Sequence, residues 1–191
     1  MPLYPMSRVE VSEIQARDTQ LKKTMWLTLI VAAIIIVIDQ TGKAVVAANL
    51  PVGGAWSPFP GPNPLFQIVY TYNTGVAFGL FKDLGVVFII VPLIISGVIV
   101  YYARRLQPDQ KLIAFALGMM LGGALGNVID RVRFGGGVLD FFEVGLGSFR
   151  NASNFADWSI VAGVFVWAVA MFLDERKQKK QPVAAEVDSS K

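Results

Sequence analysis

Neither cysteine nor histidine occurs among the 191 residues of the chain. Their absence excludes disulfides, Cys/His zinc sites, cysteine nucleophiles and any Ser-His-Asp triad. Only carboxylate, hydroxyl, amide, Lys and Arg side chains remain for catalysis. Charge is scarce as well, at 16% of residues, against about 25% in a typical soluble domain. With 54% hydrophobic residues and a mean hydropathy of +0.53, this is the composition of a membrane protein. The formal net charge of +3 does not point to nucleic acid, because the basic residues form short runs beside apolar blocks and no basic face.

The apolar residues fall into blocks of membrane-spanning length separated by polar stretches, which predicts one domain over residues 1–191. The expected fold class is membrane all-α: a four-transmembrane-helix bundle with a small extramembrane β-element on the outer side. The predicted spans are about 25–46, 84–102, 112–129 and 155–173. The first, around WLTLIVAAIIIVI, is too long and runs too directly into Asp39 to be a cleaved leader, so it reads as a retained helix. Pro92 marks a kink in the second span, and Gly118 and Gly122 form a GxxxG pair in the third. The β-element is expected over about 50–81 and 132–152: Gly and Pro break helices between Gly53 and Pro64, FQIVYTYN alternates like a strand, and VLDFFEV has strand composition. Residues 181–191 are polar and read as a disordered tail.

Lys and Arg number 4 in the N-terminal segment, 3 in the loop after the second span and 5 in the C-terminal segment, twelve of the 17 in all. Four spans place these segments on one side, which the positive-inside rule makes cytoplasmic. Both termini are then cytoplasmic, and Asp39, Asn73, Asp130, Asp140 and Asp157 all come to the outer boundary. An aspartate beside hydrocarbon costs roughly 2.5–3.5 kcal/mol, so each is a functional candidate. Each also has a plain structural reading. Asp39 and Lys43, four apart, can pair as an interfacial anchor. Asp157 follows Asn154 by three, as in a helix cap, where the helix dipole favours negative charge. Asp140, between Leu139 and Phe141, can be the lone solvent-facing residue of a strand or a carboxyl whose apolar neighbours disfavour charge. Asp130 can pair with Arg131 and pin a helix end.

Two of these carboxylates brought together could share a proton, one activating water and the other acting as acid. A divalent-metal site is an alternative use of the same carboxylates, made less attractive by few ligands and the nearby Arg131. A proton-coupled transporter would want carboxylates at mid-bilayer and an internal repeat, and a membrane scaffold would need no water-facing aspartates.

The segments DQTGK, NTGVAF, GGALGNVIDR, VLDFF and NFAD, in this order, resemble bacterial lipoprotein signal peptidase, also called signal peptidase II. Val76, where the family usually has alanine, and Gly42, at a common Ser/Thr position, depart from its pattern. The resemblance implies a membrane aspartyl endopeptidase of the bacterial inner membrane, cutting prolipoproteins before a diacylglyceryl-modified cysteine. It implies Asp140 and Asp157 as the catalytic pair. Asn73, Gly75, Asn127, Arg131 and Asn154 match positions that line the site or hold substrate; Asp39, Lys43 and Asp130 match supporting positions. The implied partners are diacylated prolipoproteins, membrane lipids and inhibitors of the globomycin type, with no cofactor or metal, and the chain is expected to act as a monomer.

Overall fold

The computed structural model describes residues 8–59, 61, 64–74, 86–146 and 149–180. Helix α1 spans Arg8–Asn49. Strands β1 (Ala55–Trp56) and β2 (Phe66–Asn73) follow. Then come α2 (Val87–Ala103), α3 (Lys111–Arg133), β3 (Val138–Leu146), β4 (Phe149–Ser153) and α4 (Phe155–Lys180). The helix α1 begins well before the expected start at residue 25, because the polar stretch from Arg8 continues the same helix. The helix α3 reaches Arg133, so Asp130 and Arg131 lie on its last turn and not beyond it. Gly75, Val76 and the rest of VAFGLF lie outside the described residues, as do 181–191.

Among the described residues three helical stretches, Lys23–Asn49, Lys111–Arg133 and Phe155–Arg176, are long and apolar enough to cross a membrane. The helix α2 is apolar but shorter, at 17 residues. It contains Pro92, whose carbonyl accepts a hydrogen bond from Ser96 Oγ at 2.8 Å.

The helix α3 is the central element, and small residues make it so. A Cβ on Gly118 would stand 2.7 Å from Thr28 O, and one on Gly122 2.7 Å from Ala32 O, so α1 packs backbone to backbone against this face. Gly123 gives α4 the same access on the other side, 2.4 Å from Ala156 O. Around these contacts Ala32, Ile99, Ala114, Leu117, Leu121 and Ala170 form the buried core. Large apolar side chains such as Ile34, Val37, Ile94, Val161 and Phe165 face outward, as a lipid solvent requires.

The strands form one antiparallel sheet in the order β1-β2-β3-β4. It is joined to the end of α1 by a second core of Val46, Tyr70, Leu139 and Phe141. Between α3 and β3 the chain turns through Gly135 and Gly136, at φ +63° and +103°, a backbone region that L side chains rarely adopt. That turn sets Asp140 on β3 back over the end of the helix that carries Asn127 and Asp130.

Candidate active site

Asp140 lies in mid-strand opposite Thr71, and only 1% of its surface is accessible. The solvent-facing alternative for this strand residue is therefore overturned. Its carboxylate accepts hydrogen bonds from Asn154 Nδ2 (2.6 Å, to Oδ1) and Asn73 Nδ2 (2.9 Å, to Oδ2). Burial pushes the Asp140 carboxyl up to about 6; the amides of Asn73 and Asn154 and the charge of Lys43 work against the rise, and the like charge of Asp157 adds to it.

Asp157 stands on the first turn of α4 and closes a cap with Asn154. Its N–H donates to Asn154 Oδ1 at 3.0 Å, and its Oδ2 accepts from the Asn154 N–H at 3.3 Å. The cap therefore forms, but it does not exhaust the carboxylate. Asn127 Nδ2 donates to its other oxygen, Oδ1, at 2.7 Å. Asn154, fully buried, thus bonds both Asp140 and Asp157 and fixes one against the other.

Beneath this pair lies a buried ion cluster. Lys43 Nζ is 2.7 Å from Asp39 Oδ2 and 2.8 Å from Asp130 Oδ2, and it donates to Asn127 Oδ1 at 3.2 Å. The expected pairing of Asp39 with Lys43 is present, but as a buried junction of α1 with α3 and not as an interfacial anchor. The expected pairing of Asp130 with Arg131 is not what holds Asp130: its cation is Lys43, and its Oδ2 also accepts the Leu139 N–H at 3.0 Å, next to Asp140 on β3. Adjacent residues on a helix point in different directions, so Asp130 turns inward while Arg131 turns away. Asp39 Oδ1 in turn accepts the N–H of Ala156, one residue before Asp157. Each buttress carboxylate therefore holds a backbone amide adjacent to one of the two upper aspartates.

Arg131 Nε is buried and has no hydrogen-bond partner among the described residues; its guanidinium carbon lies 5.8 Å from the Phe88 ring centroid. Sequence pattern does not single out Gln40, yet its Nε2 donates to Asp130 Oδ1 (2.9 Å), Asp39 Oδ2 (3.2 Å) and Gly126 O (3.3 Å). Its place in the DQTGK segment, directly after Asp39 at the end of an apolar run, is the available signal. Gly75 lies outside the described residues.

Two open grooves meet at Asp157. The larger, about 830 Å³, runs along α4 and β4 and includes Asn73, Ser153, Trp158, Val161 and Phe165. The smaller, about 380 Å³, lies among α2, α3 and α4 and includes Pro92, Ile99, Asn127, Arg131 and Ile160. Both combine apolar walls with a polar end at the aspartate, which suits a ligand part apolar and part peptide.

Apolar helices packed on a small-residue seam, a sheet at one end, and a polar cluster between them define a helical membrane protein with its candidate site where helices and sheet meet. Comparison with known proteins makes the class specific. Residues 31–173 match the family model described as signal peptidase (SPase) II. The lipoprotein signal peptidase of Moorella thermoacetica is 35% identical over 160 residues, covering 81% of this chain and 98% of that protein. That of Geobacter metallireducens is 39% identical over 155 residues, covering 79% and 93%. A solved bacterial membrane enzyme superposes with a TM-score of 0.68 at 28% identity, over 81% of this chain and 92% of its own. The chain belongs to the signal peptidase II family. Membership carries a proteolytic activity, signal-peptide removal from prolipoproteins.

Proposed function

We propose that this protein is a membrane aspartyl endopeptidase that cleaves prolipoproteins immediately before a diacylglyceryl-modified cysteine, with Asp140 and Asp157 as its catalytic pair. The observation that carries the reading is Asn154, which joins the buried Asp140 to Asp157, the carboxylate that lines both grooves. Asp140, its proton held by burial, is the acid; Asp157, at a helix N-terminus and served by two N–H donors, is the base. Asp157 takes a proton from water as the oxygen attacks the scissile carbonyl, and Asp140 gives its proton to the carbonyl oxygen. Collapse of the tetrahedral species breaks the C–N bond: the proton on Asp157 passes to the departing cysteine amine, and one hydroxyl of the diol returns its proton to Asp140 as the carbonyl re-forms. One water is consumed, and the step needs no cofactor.

The four helices are taken as four spans, with both termini in the cytoplasm, the enzyme in the bacterial inner membrane as a monomer, and the sheet at its outer face. A diacylated substrate would then reach the grooves sideways from the lipid. Asn73, Gly75 and Arg131 are assigned to substrate, together with the amides of Asn127 and Asn154, and globomycin-type inhibitors would occupy the same place. The test is cleavage of a diacylglyceryl lipobox peptide by purified protein in detergent. Asp140→Asn and Asp157→Asn are each expected to lose activity by about 10²–10⁴-fold, the usual weight of a positioned acid or base. Undiminished cleavage by either variant would remove that residue from the pair.

A further inference from the structure

We propose that Lys43 is a positioning residue for Asp157, acting through the orientation of the Asn127 amide. The inference rests on Asp157 being one of the reacting carboxylates. Lys43 is 4% exposed, and its ammonium, which has three N–H donors and no acceptor, is directed at three oxygens: Asp39 Oδ2, Asp130 Oδ2 and Asn127 Oδ1. A primary amide has one accepting end and one donating end. Because the ammonium tolerates only the oxygen, the Asn127 Nδ2 is forced to the opposite side, where it donates to Asp157 Oδ1 at 2.7 Å. The flipped amide would set NH₂ against NH₃⁺ and carbonyl oxygen against carboxylate, two repulsions in place of two attractions.

Lys43 therefore selects the amide rotamer that can donate to Asp157. An ion pair that merely fastened α1 to α3 would need only Asp39 and Asp130. The third contact is what connects the cation to the site, and it does so without Lys43 touching substrate. The same ammonium holds Asp39, which accepts the Ala156 N–H and so anchors the backbone that carries Asp157. Arg131, the other cation near this carboxylate, approaches from α3 and makes none of these bonds among the described residues.

Lys43→Met alone would leave two buried carboxylates without their shared cation and could unfold the protein. The informative variant is Asp39→Asn with Lys43→Met. The buried formal charge is −1 before, from one cation and two anions, and −1 after, from Asp130 alone. The amide oxygen that Asp39→Asn retains can still accept the Ala156 N–H. In purified protein assayed with a diacylglyceryl lipobox peptide, this double variant should keep its melting temperature within a few degrees, lose kcat by about 10- to 100-fold and leave KM unchanged, as expected for one charge-assisted hydrogen bond. Asn127→Ala alone should lose a similar factor. Adding it to the double variant should cost less than about 3-fold more, because the path is already broken. Wild-type kcat in the folded double variant, or losses that multiply in full, would overturn the proposal. Asp157→Asn assayed alongside separates the two readings: if it cleaves like the wild type, the assignment of Asp157 has failed, whatever Lys43 does.

Discussion

At the scale of single residues, the site is a matter of which carboxylate keeps its proton. Asp140 is buried on a strand and titrates near 6, above the ordinary aspartate value of 3.8, chiefly because burial penalises its charged form. If its protonated form is the acid, activity must fall as pH rises through that value, since deprotonation removes the donor. The expected profile of kcat/KM for the free enzyme has its alkaline limb near pH 6. Asn73 donates to the Asp140 carboxylate and favours the ionised form, so Asn73→Ala should hold the proton to higher pH and move the limb upward. A limb that moves downward, or does not move, would separate Asn73 from the titration of Asp140. Proximity of the two aspartates means that the profile reports the pair, and the shift between variants is the quantity to read.

At the scale of elements, packing depends on where glycine permits backbone approach. Gly123 and Gly97 make a controlled comparison. A Cβ on Gly123 would lie 2.4 Å from Ala156 O and 2.5 Å from Ser159 Oγ, whereas one on Gly97 meets nothing within 4 Å. Gly123→Ala must push α4 away from α3, with an expected loss of about 1–3 kcal/mol and a lower melting temperature in detergent. Activity should fall with it, because Asp157 rides on the displaced turn. Gly97→Ala should be neutral or stabilising by up to about 1 kcal/mol from helix propensity. Equal melting temperatures for the two variants would contradict the seam. The third-span glycines are legible in the sequence, as is β2, whose eight residues are FQIVYTYN. Local pattern reaches that far because strand alternation and GxxxG are short-range. It does not reach the ion cluster, where Asp130 looks past its neighbour Arg131 to Lys43 on another helix. Nor does it reach Gln40, whose partners Asp130 and Gly126 lie on α3. The early start of α1 escapes for the opposite reason: a polar helix with no apolar stripe has no period to read. Choosing Asp140 and Asp157 over Asp130 comes from the resemblance, and the structure adds a physical difference, in that Asp130 is already paired with Lys43 and bonded to the Leu139 amide.

At the scale of the whole molecule, the arrangement turns on α2. Its 17 residues rise about 25 Å at 1.5 Å per residue, just short of a hydrocarbon core of about 30 Å. Local thinning of the bilayer and the interfacial rings of Tyr101 and Tyr102 can take up that difference. Whether α2 crosses decides whether the sheet and the loop at Arg104 share a face. The absence of cysteine from the chain makes the question directly measurable, since any introduced thiol is the only one present. Val52, 67% exposed between α1 and β1, and Arg104, exposed just after α2, have one apolar helix between them among the described residues. In intact spheroplasts a membrane-impermeant maleimide should label Val52→Cys and leave Arg104→Cys untouched until the membrane is permeabilised. The inverse pattern would turn the protein over and contradict the charge distribution. Labelling of both from one side would mean that α2 lies in the interface, and with α3 crossing alone β2 and β3 would be set on opposite faces, which contradicts their pairing in one sheet. Such an arrangement would also splay α2 from the groove it shares with α3 and α4, exposing Asn127 and Arg131 to lipid without cover. That consequence ties membrane topology to the chemistry of the site.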